Sequence, residues 1–323
     1  MNSYRGVSGQ GIDAYMVELF GSGYTERLSG TWYGTPYSLA YVTAKIPVAE
    51  FTAGWPTLKA KVRGWRCFDP RTGFTAFTRN PALHYATAIA SPLVGLKKPV
   101  NLDSVIDAAN RCDDLFPDGP RIQCNIEIGG APVPTMQWME TLRGYAGVIL
   151  DWRDGEYHFL TDGPRMPDWH IAFSDPDSDA EMVDLPEIDL TSVTARKNVI
   201  RVKYTDTSVS PWKEVVEVVE SVGVQASLEL EVVQEYRMPG LLTRSQALRY
   251  GQERLAEHQL EKWVSTVPVA DEGAAVRVGH VATLRSPNGL NNEPGRVLGK
   301  QNPSVGLWLL RCRHYDPNAY LEP

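Results

Sequence analysis

Cys312 and His314 stand two residues apart in an alternating apolar run, a C-x-H spacing that puts a thiol and an imidazole on one face of a strand. Zinc would need two further ligands from elsewhere, such as Cys67; as ordinary strand residues the pair needs none. The six histidines (His84, His158, His170, His258, His280 and His314) include no two at i,i+3 or i,i+4, so no local metal pair forms. Asp175, Asp177 and Asp179 resemble the opening of an EF-hand loop. Ala180 and Pro186, however, stand where that loop needs Gly and Glu, and a solvated acidic linker is the simpler reading. Asp113–Asp114 could be pictured as an acid–base pair; at a helix C-terminal end it reads as exposed surface. The chain has no G-x-S-x-G, no H-E-x-x-H and no G-x-x-x-x-G-K-[ST], and no G-x-G-x-x-G follows a strand. Ser8–Gly11 is Gly-rich with no strand before it, a flexible terminus rather than a phosphate cradle. No catalytic, cofactor-binding or metal-binding residue is therefore assigned, and the sequence reads as non-enzymatic.

Composition narrows the class. The 323 residues suit two or three domains. Nine Trp, fourteen Tyr and eight Phe supply a core, since burying one such ring contributes about 1.5–3 kcal/mol. A net charge of −7 argues against a face that tracks a phosphate backbone; the longest basic candidate, at Leu96–Lys98, is only a Lys pair in a loop. No apolar run reaches about 18 residues, so no membrane span is expected. Met1–Gly11 lacks the charged-then-apolar pattern of a signal peptide, which predicts synthesis and folding in the cytoplasm. There the scattered Cys67, Cys112, Cys124 and Cys312 are expected to be buried free thiols.

Periodicity supplies the scaffold. Ala40–Pro47 and Thr57–Cys67 alternate as strands, and Asp69–Gly73 is a turn. Asn80–Pro81 starts a helix that Pro92 stops, and Asn101 or Asp103 caps a second helix over Asp103–Leu115, with Val105, Ile106, Ala109, Cys112 and Leu115 on one face. Arg121–Ile128 alternates as a strand, Pro134–Tyr145 is a helix carrying Met136, Met139 and Leu142 at helical spacing, and Gly147–Leu160 is a hairpin turned by Asp154–Gly155. Asp162–Glu187, rich in Pro, Asp and Ser, reads as a linker or long loop. Strands follow at Asn198–Tyr204, Lys213–Val219 and Leu228–Val233. Next comes an amphipathic helix, Thr243–Leu260, with Arg244, Arg249, Glu253, Arg254, Glu257 and His258 on its outer sides. That charged side is either a solvated face or a subunit contact. Trp263–Val269, His280–Arg285, Gly295–Gly299 and Leu307–Arg313 end the chain as strands.

The expected fold is α+β and mainly β. A discontinuous β-barrel-like domain (40–72 with 188–235) carries an inserted α/β lobe (73–187), after an N-terminal arm (1–39) and before a helix plus second β-domain (236–323).

Three stretches together resemble the tail tip protein J and baseplate hub family of tailed phages. The first is Gly64–Pro81, where Asp69-Pro70-Arg71 ends a strand and Asn80-Pro81-Ala82 starts a helix. The second is Thr135–Leu160, with Gly147, Gly155, Tyr157 and Phe159 at the family's hairpin positions. The third is Ser245–Gly279, where Gln246-Ala247-Leu248-Arg249 and Leu255 lead to Val278-Gly279-His280-Val281, with His280 in place of the usual acid. The resemblance implies a trimeric ring at the distal end of the tail tube in the virion, assembled with itself and with neighbouring tail tube and distal tail proteins. Tape-measure protein and DNA would pass through it without specific binding, and a tail fibre or receptor-binding protein could attach. Two other functions remain in view. A receptor- or glycan-binding module would use aromatics such as Trp32, Tyr33, Tyr37, Trp55, Trp169 and Trp212. A cell-wall hydrolase would need an acid–base pair that does not stand out.

Overall fold

The computed structural model describes the backbone of residues 2–5, 29–32, 35–38 and 40–43, and in full residues 64, 66–92, 95–126, 134–192, 196–209, 212–226 and 230–320. The chain divides into two compact units, Met1–Val62 and Arg63–Pro323. In the first, β1 (Asn2–Arg5) and β4 (Ala40–Thr43) pair antiparallel, as do β2 (Ser29–Trp32) and β3 (Thr35–Ser38). Residues 44–47 and 57–63 of the two expected strands lie outside the described residues. So does most of the segment expected to pair with 188–235.

The second unit begins with a hairpin of β5 (Arg66–Asp69) and β6 (Phe74–Phe77), closed by Gly73 at φ 73°. Asn80 then starts α1 (Pro81–Ala90). Its Oδ1 accepts from the N–H groups of Ala82 and Leu83, and its Nδ2 donates to the Ala109 carbonyl at 2.8 Å. Ala109 lies in α2 (Leu102–Asp113), so one side chain caps one helix and ties it to the next. Asn80→Ala removes both roles and is expected to cost about 2 kcal/mol, read as a drop in the denaturation midpoint.

Helix α2 is capped by Asn101 and buries Val105, Ala108, Ala109 and Cys112 as its period demands. It stops at Asp113, and Leu115, expected on the buried face, is 74% exposed in the small hairpin of β7 (Leu115–Phe116) and β8 (Gly119–Pro120). The expected strand Arg121–Ile128 is corrected as well. Its described part, residues 121–126, forms no ladder. Instead Ile122 donates to Cys112, Cys124 to Arg79 and Asn125 to Gly240. Cys124 is buried all the same, because alternation fixes which side chains face the core whether or not a ladder forms.

Helix α3 (Thr135–Ala146) ends on Gly147 at φ 59° and buries Met139, Leu142 and Tyr145, while Met136 in its first turn is exposed. The hairpin of β9 (Val148–Arg153) and β10 (Glu156–Thr161) turns on Asp154 and Gly155, both at positive φ, the geometry that Asp-Gly favours.

Residues 164–320 supply β11 (Trp169–Ala172), β12 (Ala180–Glu181), β13 (Glu187–Leu190), β14 (Val199–Asp206), β15 (Lys213–Glu220), the single turn α4 (Val222–Gln225), β16 (Val233–Arg237), α5 (Arg244–Leu260), β17 (Trp263–Val269), β18 (Val281–Ser286), β19 (Leu290–Ser304) and β20 (Leu307–His314). The expected linker Asp162–Glu187 is thereby corrected. It contributes two strands to a seven-stranded sheet of order β12-β11-β18-β19-β20-β17-β13. Both strands are short; β11 pairs parallel with β18, far along the chain, and β12 pairs parallel with β11, so no local periodicity could mark them.

This sheet curls into a half-barrel in which β12 reaches the end of β17. Met182 bridges Val269, the Val183 N–H donates to Pro268 and the Ala270 N–H donates to Glu181. Inside lie Trp263, Leu284, Val297, Leu310 and Cys312. A second sheet has the order β15-β14-β16. Residues 228 and 229 of the expected strand Leu228–Val233 lie outside the described residues, and of the rest only Val233 is in a strand, Val233–Arg237. Asn198 explains this, because its side chain takes up the Leu230 carbonyl and the Val232 N–H and keeps them out of the ladder. One face of this sheet packs on α5, where Gly251 lets the helix approach Val202 and Val219. The sheet and α5 share a core with the α/β lobe, while the curled sheet has a core of its own. The fold is α+β and mainly β, as expected.

Candidate functional site

The residues singled out for chemistry are not brought together. Cys312 lies inside the curled sheet, with His314 edge-on to Trp263 beside it, whereas Cys67 belongs to the lobe core. Burial raises the Cys312 thiol to about 12, so it stays protonated at neutral pH. Among the described residues no group of three or more His, Cys, Asp or Glu is placed to hold a metal ion. The acidic run is local turn chemistry. Asp175 accepts from the Asp177 N–H and pairs with Arg285, and Asp179 accepts from the His170 N–H. Asp113 pairs with Arg71, and Asp114 with Arg121. Lys98 lies over the Trp152 ring. Trp169 donates to Nδ1 of His280, while Trp212 is exposed.

Helix α5 departs most from expectation. Its outer side does not simply meet solvent, since Arg249, Glu253, Arg254 and Glu257 are largely buried in ion pairs. Arg254 and Glu257 enter a junction that the sequence did not suggest. At the end of β10, Asp162 Oδ1 accepts from Arg296 of β19 and, at 2.7 Å, from the Tyr320 hydroxyl, and Arg254 stands 3.8 Å from Oδ2. The Arg296 side chain is 2% exposed. It also donates to the Gly163 carbonyl at 2.8 Å and lies over the Tyr315 ring, and the Tyr315 hydroxyl donates to the same carbonyl. Two guanidiniums and two phenols thus clamp the Asp162–Gly163 turn. The turn ends the lobe's hairpin, while Arg296 belongs to the curled sheet.

The electrostatics follow from burial and pairing. Burial pushes the Asp162 carboxyl up, but Arg296 and Arg254 together outweigh it and hold its pKa below the usual range. For Glu257 burial wins over Arg254, and its pKa is raised. Glu257→Gln is therefore expected to be neutral or mildly stabilising at pH 7, read from urea midpoints. Asp162→Asn should be strongly destabilising in the same measurement.

Four imidazoles, His84, His258, His280 and His314, have pKa values lowered by burial from the ordinary 6.5. The unfolded chain binds their protons more readily than the folded one. Their contribution is thus present above pH 6.5 and lost as pH falls from there toward the folded values. Each removes up to about 1.4 kcal/mol per pH unit in that window. A thermal midpoint that fails to fall between pH 7 and pH 5 would contradict this.

The open surfaces carry further information. Exposed large apolar side chains concentrate between residues 209 and 233, among them Val209, Trp212, Val216, Val218, Leu230 and Val233. They surround the three-stranded sheet, whose outer strands β15 and β16 each have one unpaired edge among the described residues. A second group, Phe68, Phe74 and Phe77, lies on the first hairpin.

A family model described as "Putative phage tail protein" (Phage-tail_3) matches residues 134–299, just over half of the chain. No curated protein matches it. Similar solved structures are distant. One is a chain of the virion of a native gene transfer agent particle, at 15% identity and TM-score 0.47, covering 58% of this chain and 40% of that one. A second is a tail protein from Neisseria meningitidis MC58, at 14% identity and TM-score 0.47, covering 74% and 69%. A third is the 43 kDa tail protein of prophage MuSo2 from Shewanella oneidensis, at 12% identity and TM-score 0.45, covering 79% and 70%. The chain spans two fifths of the gene transfer agent protein's length.

Proposed function

The chain belongs to the Phage-tail_3 family of phage tail proteins, and from that premise we propose that it is a structural component of the tail tip. Copies of it form a ring, with three copies expected, at the distal end of the tail tube, and tape-measure protein and DNA pass through that ring. The ring joins the last tube or distal tail proteins and offers a place for a fibre or receptor-binding protein.

The observation that carries this reading is the open three-stranded sheet. Exposed valines and a tryptophan gathered around strand edges that no described residue pairs are costly on a solitary protein and are what a subunit contact would cover. The clamped junction fits the same role, because a ring held under load needs its lobe and curled sheet fixed to one another.

Light scattering on the purified chain, with antibody labelling of intact tails under negative stain, tests the proposal. A three-copy mass and label at the tail tip are expected. A chain that stays solitary at high concentration, or label along the tube or on the head, would refute it.

A further inference from the structure

We propose that β16 of one copy pairs antiparallel with β15 of the next, so that a single sheet runs from subunit to subunit. This rests on the ring-forming reading above and names the contact that builds the ring.

The hydrogen-bond directions of the sheet lead to it. Successive residues of a strand send their N–H and C=O groups to alternate sides. The Met238 N–H donates to the Lys203 carbonyl at 2.7 Å, so the backbone groups of Lys203 point toward β16. Val216 lies opposite Lys203 on β15, and its groups therefore point away from β14 to the free edge. Those of Glu214 and Val218 do the same. Arg237 lies opposite Lys203 on β16. In a parallel pair the bonds to Lys203 come from the residues on either side of Arg237, which leaves the groups of Arg237, Glu235 and Val233 at the other free edge. The side chains of both sets lie on the face turned away from α5. Val216 is 43% and Val218 44% exposed, and the Arg237 side chain is 72% exposed.

Side-chain chemistry then selects partner and register. With Val233 opposite Val218 of the next copy, Glu235 meets Val216 and Arg237 meets Glu214, giving an apolar pair and an opposite-charge pair in which Glu214, 3.6 Å from Arg237 across β14 within its own chain, takes the Arg237 of the next copy as well. A shift of two residues one way sets Glu235 against Glu214, and the other way leaves neither favourable pair. Fully overlapped two-fold alternatives are disfavoured, and the two-fold register that sets Val216 on Val216 leaves the β16 edge without a partner. Full overlap of β15 with its own copy opposes Glu214 to Glu220 twice, and overlap of β16 with its own copy opposes Glu235 to Glu235. The contact is therefore head-to-tail. Because β16 runs with β14 and β15 runs against it, an antiparallel joint keeps every copy in the same sense, as rotation about a closed ring requires.

Cysteine cross-linking tests it on the full-length chain. Within one chain positions 218 and 233 are separated by β14, roughly 12 Å between Cα atoms, too far for a disulfide. Across the proposed joint they oppose each other within disulfide reach. The native cysteines are buried and should not compete. Mild oxidation of the Val218→Cys/Val233→Cys variant is expected to give a covalent ladder ending at the ring's copy number, as is the Glu214→Cys/Arg237→Cys variant in the same register. Either single cysteine should leave the chain uncross-linked. A dimer from Val218→Cys alone would establish a two-fold contact and overturn the proposal. Oligomers of correct mass that fail to cross-link in both double variants would also overturn it while leaving the ring standing. A monomeric wild-type chain would remove both.

Discussion

Replacing Arg296 by methionine is expected to destabilise the protein by about 3–5 kcal/mol, the range for a buried ion pair that loses one partner. Methionine keeps most of the volume, so packing loss is a small part of the effect. What remains is a buried Asp162 without its main counter-charge, with Arg254 at 3.8 Å and one phenol still beside it. The Gly163 carbonyl keeps the Tyr315 hydroxyl but loses a charged donor. Asp162→Asn should cost a similar amount from the other side, since it leaves Arg296 buried without a carboxylate. The double variant should cost clearly less than the two singles added, because the second change removes a charge the first left unpaired. A urea-midpoint cycle that is additive, or single costs below 1 kcal/mol, would show that the junction is ornamental.

Trp263→Ala should cost about 3–5 kcal/mol, the usual range for an aromatic deleted from a core. The ring is buried within the curled sheet, and a Cβ placed on Gly295 would come within 2.7 Å of it, so the strand opposite has no slack to collapse into the space. The effect should also be local. The curled sheet and the lobe have separate cores, and the junction at Asp162 is one of the ties that make them unfold together. Combined with Arg296→Met, Trp263→Ala should therefore split the unfolding curve, with the curled sheet melting first. A single shifted transition in the combined variant would mean that other contacts suffice to couple the two cores.

Both expectations concern residues that the sequence marked unequally. Trp263 opens an alternating run, and its burial was legible there. Asp162 sits in a run of Asp, Gly and Pro that reads as loop, and Arg296 in a strand whose neighbours are apolar. Nothing within a dozen residues of either announces the other, 134 positions away. The burial of charged side chains on α5 is hidden from the sequence for the same reason. Arg249, Glu253, Arg254 and Glu257 lie on the polar side of an amphipathic period, and a polar side normally meets water. Here counter-charges from β10 and the loop around β8 approach instead, and Asp118 and Asp162 take up two of the guanidiniums.

The local decisions were within reach of the sequence alone. Asn80–Pro81 starts α1, Asp154–Gly155 turns the hairpin, Gly147 ends α3, and the periods of α2 and β17 choose their buried faces. Each of these depends on backbone dihedrals or on neighbours a few residues away. Tertiary structure decided the rest: that Trp169–Ala172 joins a parallel ladder, that Asn198 keeps Leu230 and Val232 out of β16, that charged side chains of α5 are buried, and which strand edges stay open. A parallel ladder and a buried ion pair both need a partner from far along the chain. The gain from meeting it exists only after the intervening segments have folded, so it leaves no periodic trace in the residues that take part.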